Sequence, residues 1–123
     1  IMAFLFGGAI CTGGQGFFNL YTNFGFAKDD VSILVSATMI FLGAFLTGLG
    51  VYDKMADYAG AGTVVPITGF ANSIVSPAIE FKSEGYVFGV GAKMFTIAGP
   101  VLVYGISSSV LVGIIYYIVK YVM

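Results

Sequence analysis

Charged residues divide the chain into long apolar blocks, and the lengths of these blocks predict its helices. Residues 1–27 carry no charge, and after the polar run Lys28–Asp30 a second charge-free block covers residues 31–52. The second block would extend roughly 33 Å as an α-helix, which matches a hydrocarbon core of about 30 Å. We therefore predict two membrane-spanning helices, over about residues 1–23 and 31–52.

The last apolar block is the longest of the chain. It runs from Met94 to Val119 and would measure roughly 39 Å as one helix, so that it must tilt, kink or begin outside the hydrocarbon core. Pro100 is a position where a kink is expected. Three tyrosines beside Lys120 form an aromatic band of the kind found at membrane interfaces: Tyr116, Tyr117 and Tyr121. These features predict a third span over about residues 94–121.

The central block, residues 58–83, contains too many helix-breaking residues for one straight helix. They are Gly60, Gly62, Pro66, Gly69 and Pro77. We predict an unwound stretch over residues 60–65 and a helix that begins at about Pro66, because proline suits the first position of a helix. A helix from Pro66 to Ser83 would measure roughly 27 Å, which is barely enough to cross the membrane. The segment is either a broken fourth span or a re-entrant segment.

The composition indicates a lipid environment. Only 9% of the residues are charged and 59% are hydrophobic, whereas a soluble domain carries about 25% charged residues. The predicted fold class is therefore an all-α integral membrane protein. It has three transmembrane helices and a Gly/Pro-broken or re-entrant fourth segment, in a single membrane domain over residues 1–123.

The few charged residues argue against several functions. The five lysines are scattered singly, so no basic stripe is available to bind nucleic acid. Histidine is absent, and the single cysteine has no base near it in sequence, which argues against triads of the serine or cysteine type. We predict no enzymatic activity, no cofactor and no metal site.

The lysines also bear on the orientation in the membrane. If four segments cross, Lys28, Lys82 and Lys93 share one side, and Lys54 and Lys120 share the other. This difference is too small for the positive-inside rule to give an orientation.

Small residues recur every four positions in two of the predicted helices. The first set is Gly8, Thr12 and Gly16, and the second is Gly105, Ser109 and Gly113. Such spacing lets helix backbones approach closely in lipid, where packing replaces the hydrophobic effect. We predict that these residues serve helix packing, either inside the chain or between the chains of an oligomer.

A polar face distinguishes the predicted helix after Pro66. Asn72, Ser76, Glu80 and Glu84 follow one another at intervals of four, with Ser73 alongside. An ionised side chain in mid-membrane costs about 2.5 to 3.5 kcal/mol. The face is therefore predicted to line a solute pathway, with Lys82 and Lys93 near one mouth, or to dock a partner. Alternatively, its amide and hydroxyl groups bond neighbouring helices while its acids end the helix in water.

The central sequence resembles a known family. GVYDKMADYAGAGTVVPITGFANSIVSPAIEFKSEG (Gly50–Gly85) is similar to the membrane subunits of the SpoVA system of spore-forming bacteria. The similarity continues through FGGAICTGGQ (Phe6–Gln15) and GVGAKMFTIAGPV (Gly89–Val101). The EFKSEG and GVGAKMF elements resemble the AC-type subunits more than the AE type.

The resemblance implies a function that the composition does not. Members of this family belong to a complex of the spore inner membrane that moves dipicolinic acid, as its calcium chelate, into the developing spore and out of it at germination. The partners that the resemblance implies are an AE-like membrane subunit and a soluble AD-like subunit. We expect a homo- or hetero-oligomer in the lipid bilayer.

A pathway for dipicolinate, a pyridine dicarboxylate, needs hydrogen-bond donors at its narrowest point. Backbone amides freed near Gly60–Pro66, and the N-terminal end of the following helix, would present partial positive charge to this anion. Asn72, Ser73 and Ser76 would add neutral hydrogen bonds, whereas the two glutamates would meet the calcium of the chelate or a partner's cation. The alternative is a non-conducting scaffold that docks the soluble and membrane partner subunits.

Overall fold

The structure, a computed structural model, describes residues 1–121, and these residues form helices and short connections with no β-strand among them. In chain order the elements are α1 (Met2–Asn23), α2 (Lys28–Gly48), α3 (Val51–Ala59), α4 (Ala61–Val64), α5 (Ile67–Glu80), a 3₁₀ turn (Phe81–Glu84), a π-helical turn (Tyr86–Gly91) and α6 (Ala92–Tyr121). The prediction of an all-helical chain is confirmed. The last two positions of the predicted membrane domain, 122 and 123, lie outside the described residues.

α1 and α2 form an antiparallel pair joined by a short turn. The Tyr21 and Thr38 hydroxyls lie 2.8 Å apart across this pair. α2 begins at Lys28, earlier than predicted, with Asp29 and Asp30 in its first turn. Carboxylates there interact favourably with the partial positive charge of the helix N-terminus. The two acids therefore begin the helix instead of preceding it.

α2 ends at Gly48, before the predicted end at residue 52. Gly50 has a φ of +67°, a left-handed conformation that glycine adopts without steric cost. The chain then forms α3, in which Tyr52 and Ala59 are buried. The block predicted as one span therefore contains a long helix and the start of a short one.

The predicted break lies between α3 and α5. Gly60, with φ 51° and ψ −126°, ends α3, and the single turn α4 follows. Pro66 is extended, with φ −65° and ψ 159°, and caps the N-terminus of α5. Residues 60–65 are thus only partly unwound, since α4 is helical.

α5 runs parallel to α2. A Cβ atom on Gly43 of α2 would come within 2.8 Å of the Thr68 carbonyl oxygen, so the two helices touch closely there. One turn further along both helices, the Thr47 hydroxyl donates to Asn72 Oδ1 over 2.8 Å. The residue numbers rise together, so the helices point in the same direction. Gly43 lies only about 7.5 Å before the end of α2, so α5 begins near that end and continues beyond it.

α6 leaves the rest of the chain after its first turns. Together with the π-helical turn it forms an apolar helical segment of 36 residues, Tyr86–Tyr121, and the helix continues through Pro100. Ala98 is buried, but every residue from Val101 to Tyr121 is exposed. Among the described residues, this part of α6 is therefore not packed against the rest of the chain.

Two of the described helices are long and apolar enough to cross a membrane. They are α2 and the segment Tyr86–Tyr121. α1 has 22 residues and lies beside α2, but polar residues and several glycines make it less apolar. Length and composition thus support two of the three predicted spanning helices.

Candidate functional site

Buried hydrogen bonds join α2, α3, α4 and α5 near the break. The Tyr52 hydroxyl donates to the Thr63 carbonyl oxygen over 2.7 Å and lies 2.8 Å from the Thr68 hydroxyl. The buried Thr47 hydroxyl lies 2.7 Å from the Gly43 carbonyl oxygen of its own helix and 2.8 Å from Asn72 Oδ1. Hydrogen bonds in a low-dielectric interior are strong when every group is satisfied, so they fix the relative positions of these helices.

A cavity of about 370 Å³ opens at the end of α2. We call it the α2-end cavity. Its lining combines two carboxylates and two hydroxyls with an isoleucine and the glycine turn: Thr47, Gly48, Gly50, Asp53, Ser76, Ile79 and Glu80. Carboxylate and hydroxyl oxygens suit a hard cation such as calcium. Two carboxylates would repel a free anion.

Two residues predicted for the solute pathway are used in bonds inside the chain. Asn72 accepts the hydrogen bond from Thr47 of α2. The Ser73 hydroxyl donates to the Phe70 carbonyl oxygen of its own helix over 2.8 Å. Both residues are half-buried. Their arrangement corresponds to the alternative in which polar groups bond within the helix bundle.

Ser76 and Glu80 lie together in the α2-end cavity, but Glu84 does not continue their face as the sequence pattern predicted. α5 ends at Glu80, and the chain tightens into the 3₁₀ turn Phe81–Glu84. A 3₁₀ helix has about 3.0 residues per turn instead of 3.6, so the interval of four no longer returns to the same face. Lys82 and Glu84 are exposed in this turn.

Lys93, predicted near one mouth of the pathway, contacts an aromatic ring. Its Nζ atom lies 4.0 Å from the centroid of the Phe81 ring, which is within the range of a cation–π interaction. This contact joins the start of α6 to the turn after α5. The half-buried Lys93 and the exposed Lys82 therefore lie at the same end of α5, in different surroundings.

Several backbone amides in and after the break donate to carbonyl oxygens close by in the chain. The amides of Thr63 and Val65 donate to the carbonyl oxygens of Gly60 and Ala61. The Gly69 amide donates to the Pro66 carbonyl oxygen. Fewer amides are thus free for an anion than the sequence predicted, because α4 forms a hydrogen-bonded turn.

The predicted small-residue sets do not pack against other helices of the described chain. A Cβ atom on Gly8, Gly16, Gly105 or Gly113 would have no neighbour within 4 Å, and Thr12 and Ser109 are exposed. Of the two alternatives left by the sequence, packing inside the chain is not seen there. Close packing instead involves Gly62 with Ala3 and Gly7, and Gly43 with Thr68.

Sequence reasoning missed three residues that complete the site: Thr47, Tyr52 and Asp53. Thr47 follows Gly43 at an interval of four, and Asn72 follows Thr68 at the same interval. A comparison of the two helices could have indicated a small and polar interface. Asp53 lies on α3, a separate short helix after the Gly50 turn. Its position in the sequence did not indicate that it lines a cavity together with residues of α2 and α5.

Comparisons with known proteins agree on one family. The family model described as SpoVAC/SpoVAEB sporulation membrane protein matches residues 1–115. Stage V sporulation protein AC of Bacillus subtilis (strain 168) is 48% identical over 116 residues, which cover 94% of this chain and 77% of that protein. No solved structure matches the chain.

Proposed function

Because this chain belongs to the SpoVAC/SpoVAEB family of sporulation membrane proteins, we propose that it is a membrane subunit of a conduit for calcium dipicolinate in the spore inner membrane. The conduit would fill the developing spore and empty it at germination. The AE-like and AD-like subunits implied by the sequence resemblance would be its membrane and soluble partners. The proposal includes no enzymatic step.

The α2-end cavity carries this proposal. Asp53 and Glu80 line this cavity together with Thr47 and Ser76, at the end of an apolar helix. Carboxylate oxygens can meet the calcium ion of the chelate, and the Ser76 hydroxyl can donate to its dicarboxylate. A free dicarboxylate would be repelled. The cavity therefore favours the calcium chelate over the free anion.

The proposed arrangement in the membrane has three crossing helices, α1, α2 and α6, and a re-entrant segment from α3 to α5. Two observations support it. α1 lies along α2, so it shares the membrane with α2. α5 points in the same direction as α2 and begins near the C-terminal end of α2. The chain therefore enters the membrane through α3 and α4 and leaves it through α5 on the same side. The α2-end cavity then lies at one mouth of the conduit.

Ser76→Leu tests the proposal in the reconstituted complex. The larger apolar side chain fills part of the cavity and removes a hydroxyl, so we expect flux of calcium dipicolinate to fall about tenfold, or about 1.4 kcal/mol on the barrier. Flux of dipicolinate with calcium removed by a chelator should be low in both proteins.

Ser36→Leu is the matched control for this substitution. Ser36 is exposed on α2, and its only hydrogen-bond acceptor among residues 1–121 is the Ser32 carbonyl oxygen of its own helix. Its replacement should leave flux unchanged. Equal flux through the Ser76 and Ser36 variants, at equal assembly of the complex, would contradict the proposal.

A scaffold is the second candidate function. The exposed stretch of α6 from Val101 to Tyr121 and the exposed charged turn at Lys82–Glu84 offer surfaces for a membrane partner and a soluble partner. A scaffold would carry no solute itself. Ionic current or dipicolinate flux through the purified chain alone would favour the conduit, whereas flux only in the presence of another membrane subunit that conducts alone would favour the scaffold.

A further inference from the structure

A second polar face lies on α1, apart from the α2-end cavity. Thr12, Gln15, Asn19 and Thr22 follow at intervals of three, four and three, which places them on one face of the helix. All four are exposed. We call them the α1 polar stripe. None of the four is charged.

Within the part of the chain that the structure describes, the polar groups of the stripe form hydrogen bonds only inside α1. The hydroxyls of Thr12 and Thr22 donate to carbonyl oxygens one turn earlier, each over 2.8 Å. Gln15 Nε2 donates to Asn19 Oδ1 over 3.0 Å. This differs from the polar contacts between helices of this chain, such as Tyr21 with Thr38, in which the partners lie on separate helices.

The stripe faces away from the part of the chain that the structure describes. The opposite side of α1 packs on α2 and α4 through residues such as Gly7, Gly14 and Tyr21. Because α1 runs along α2, an apolar helix long enough to cross a membrane, the stripe extends from about mid-membrane at Thr12 to the end of α1. It extends over about 15 Å, half of a hydrocarbon core of about 30 Å.

Lipid is an unfavourable neighbour for this face. The amide NH₂ of Asn19 and one amide hydrogen of Gln15 have no acceptor among the described residues, and the Gln15 carbonyl oxygen also remains available. Transfer of an amide into hydrocarbon without a hydrogen bond costs several kcal/mol. Water or another protein must therefore cover the stripe.

We propose that the α1 polar stripe lines the water-filled passage of the conduit at membrane depth. The inference rests on the proposed function and adds a second lining surface to it. The α2-end cavity is acidic and lies at the end of α2, whereas the stripe is neutral and runs from the middle of α1 towards the C-terminal end of that helix. Neutral donors and acceptors suit a charge-compensated metal dicarboxylate, because they can replace its hydrating water without binding it tightly.

The adjacent exposed face of α1 supplies an internal control. Gly13 and Leu20 follow Thr12 and Asn19 directly, so they lie at the same depths but about 100° around the helix. Both are exposed in the chain and neither carries a polar side chain. The proposal places these two positions against lipid or protein.

Thiol labelling of the full chain in the assembled complex tests this assignment. In a Cys11→Ser background, cysteine is introduced by Thr12→Cys, Asn19→Cys, Gly13→Cys or Leu20→Cys. A small, charged methanethiosulfonate reagent requires water and a thiolate. We expect labelling at positions 12 and 19 to be at least about tenfold faster than at positions 13 and 20.

Two results would overturn the inference. One is equal labelling rates within each adjacent pair. The other is rapid disulfide formation between copies at Asn19→Cys without labelling, which would identify the stripe as an interface between chains. Calcium dipicolinate flux through the Cys11→Ser parent separates this inference from the proposed function. If the parent carries calcium dipicolinate but the stripe is not labelled, the lining role of the stripe is wrong and the proposed function stands. If the stripe is labelled but the parent carries no calcium dipicolinate, the proposed function is wrong, although this face of α1 is in contact with water.

Discussion

Tyr52 shows at the residue scale how one polar group can hold several short helices together. The residue is 2% exposed, and its hydroxyl contacts Thr63 of α4 and Thr68 of α5. α4 is a single turn and α3 has 9 residues, so neither is stable on its own length. The hydroxyl therefore contributes to the position of the whole break.

Tyr52→Phe should lower the free energy of unfolding by about 1–2 kcal/mol, because it leaves the Thr63 carbonyl oxygen and the Thr68 hydroxyl without this partner. Denaturant unfolding in detergent micelles measures the change. Tyr58→Phe is the control on the same helix, since Tyr58 is 79% exposed, and it should change stability by less than about 0.5 kcal/mol. Equal effects of the two substitutions would contradict the role given to Tyr52.

Periodicity identified some residues of the site and missed their partners. Ser76 and Glu80 were found because an interval of four marks one helix face. Thr47 and Asp53 belong to other elements, and their proximity depends on the parallel direction of α2 and α5. Sequence spacing along one helix contains no information about that direction. Glu84 was misplaced because the pattern assumed that the helix continued beyond Glu80.

At the element scale, residues with fixed backbone preferences located the break. Gly60 and Pro66 bound it, as their conformational preferences predicted. The charge-free blocks predicted the long helices, but not the residues at which these helices begin and end. The block lengths placed Asp29 in the polar connection before the second helix, whereas its carboxylate stabilises the first turn of α2. They also assigned Tyr52 to the same helix as the rest of its block, although the left-handed Gly50 separates α2 from α3.

The contact of α2 with α5 depends on the absence of a side chain at Gly43. A Cβ atom there would meet the Thr68 carbonyl oxygen at 2.8 Å and the Thr68 Cα at 2.9 Å, so the two backbones would have to separate. Gly43→Ala should destabilise the protein by about 1–3 kcal/mol, the typical cost of overpacking. Thermal unfolding in detergent measures this cost.

Gly48→Ala is the control for Gly43→Ala, because a Cβ atom on Gly48 of the same helix would have no neighbour within 4 Å. Alanine favours a helix over glycine, so this variant should be as stable as the parent or slightly more stable. A Gly43→Ala protein that unfolds at the same temperature as Gly48→Ala would exclude close contact between α2 and α5.

At the scale of the whole molecule, the uncovered surfaces of the described chain include the α1 polar stripe and α6 from Val101 to Tyr121. One is polar and the other is apolar. A chain that places both in the same membrane requires lipid or protein on α6 and water or protein on α1. This combination favours assembly around a passage, with the neutral stripe inside and the apolar helix outside.

The direction of α5 leads to a specific arrangement of the lysines. With three crossing helices and a re-entrant α3–α5 segment, Lys54 and Lys82 lie on one side of the membrane and Lys120 lies on the other. Four crossing segments would instead separate Lys54 from Lys82 and place Lys54 with Lys120. The two arrangements therefore differ in the sides on which Lys82 and Lys120 lie relative to Lys54.

Sidedness of labelling distinguishes these arrangements. Lys54→Cys, Lys82→Cys and Lys120→Cys, each in a Cys11→Ser background, are placed in sealed vesicles and treated from one side with an impermeant thiol reagent. We expect the first two variants to react from the same side and Lys120→Cys to react only from the opposite side. Reaction of Lys82→Cys from the side opposite to Lys54→Cys would show that the central segment crosses the membrane. The α2-end cavity could then not lie at a mouth shared by α2 and α5, because the two helices would end on different sides.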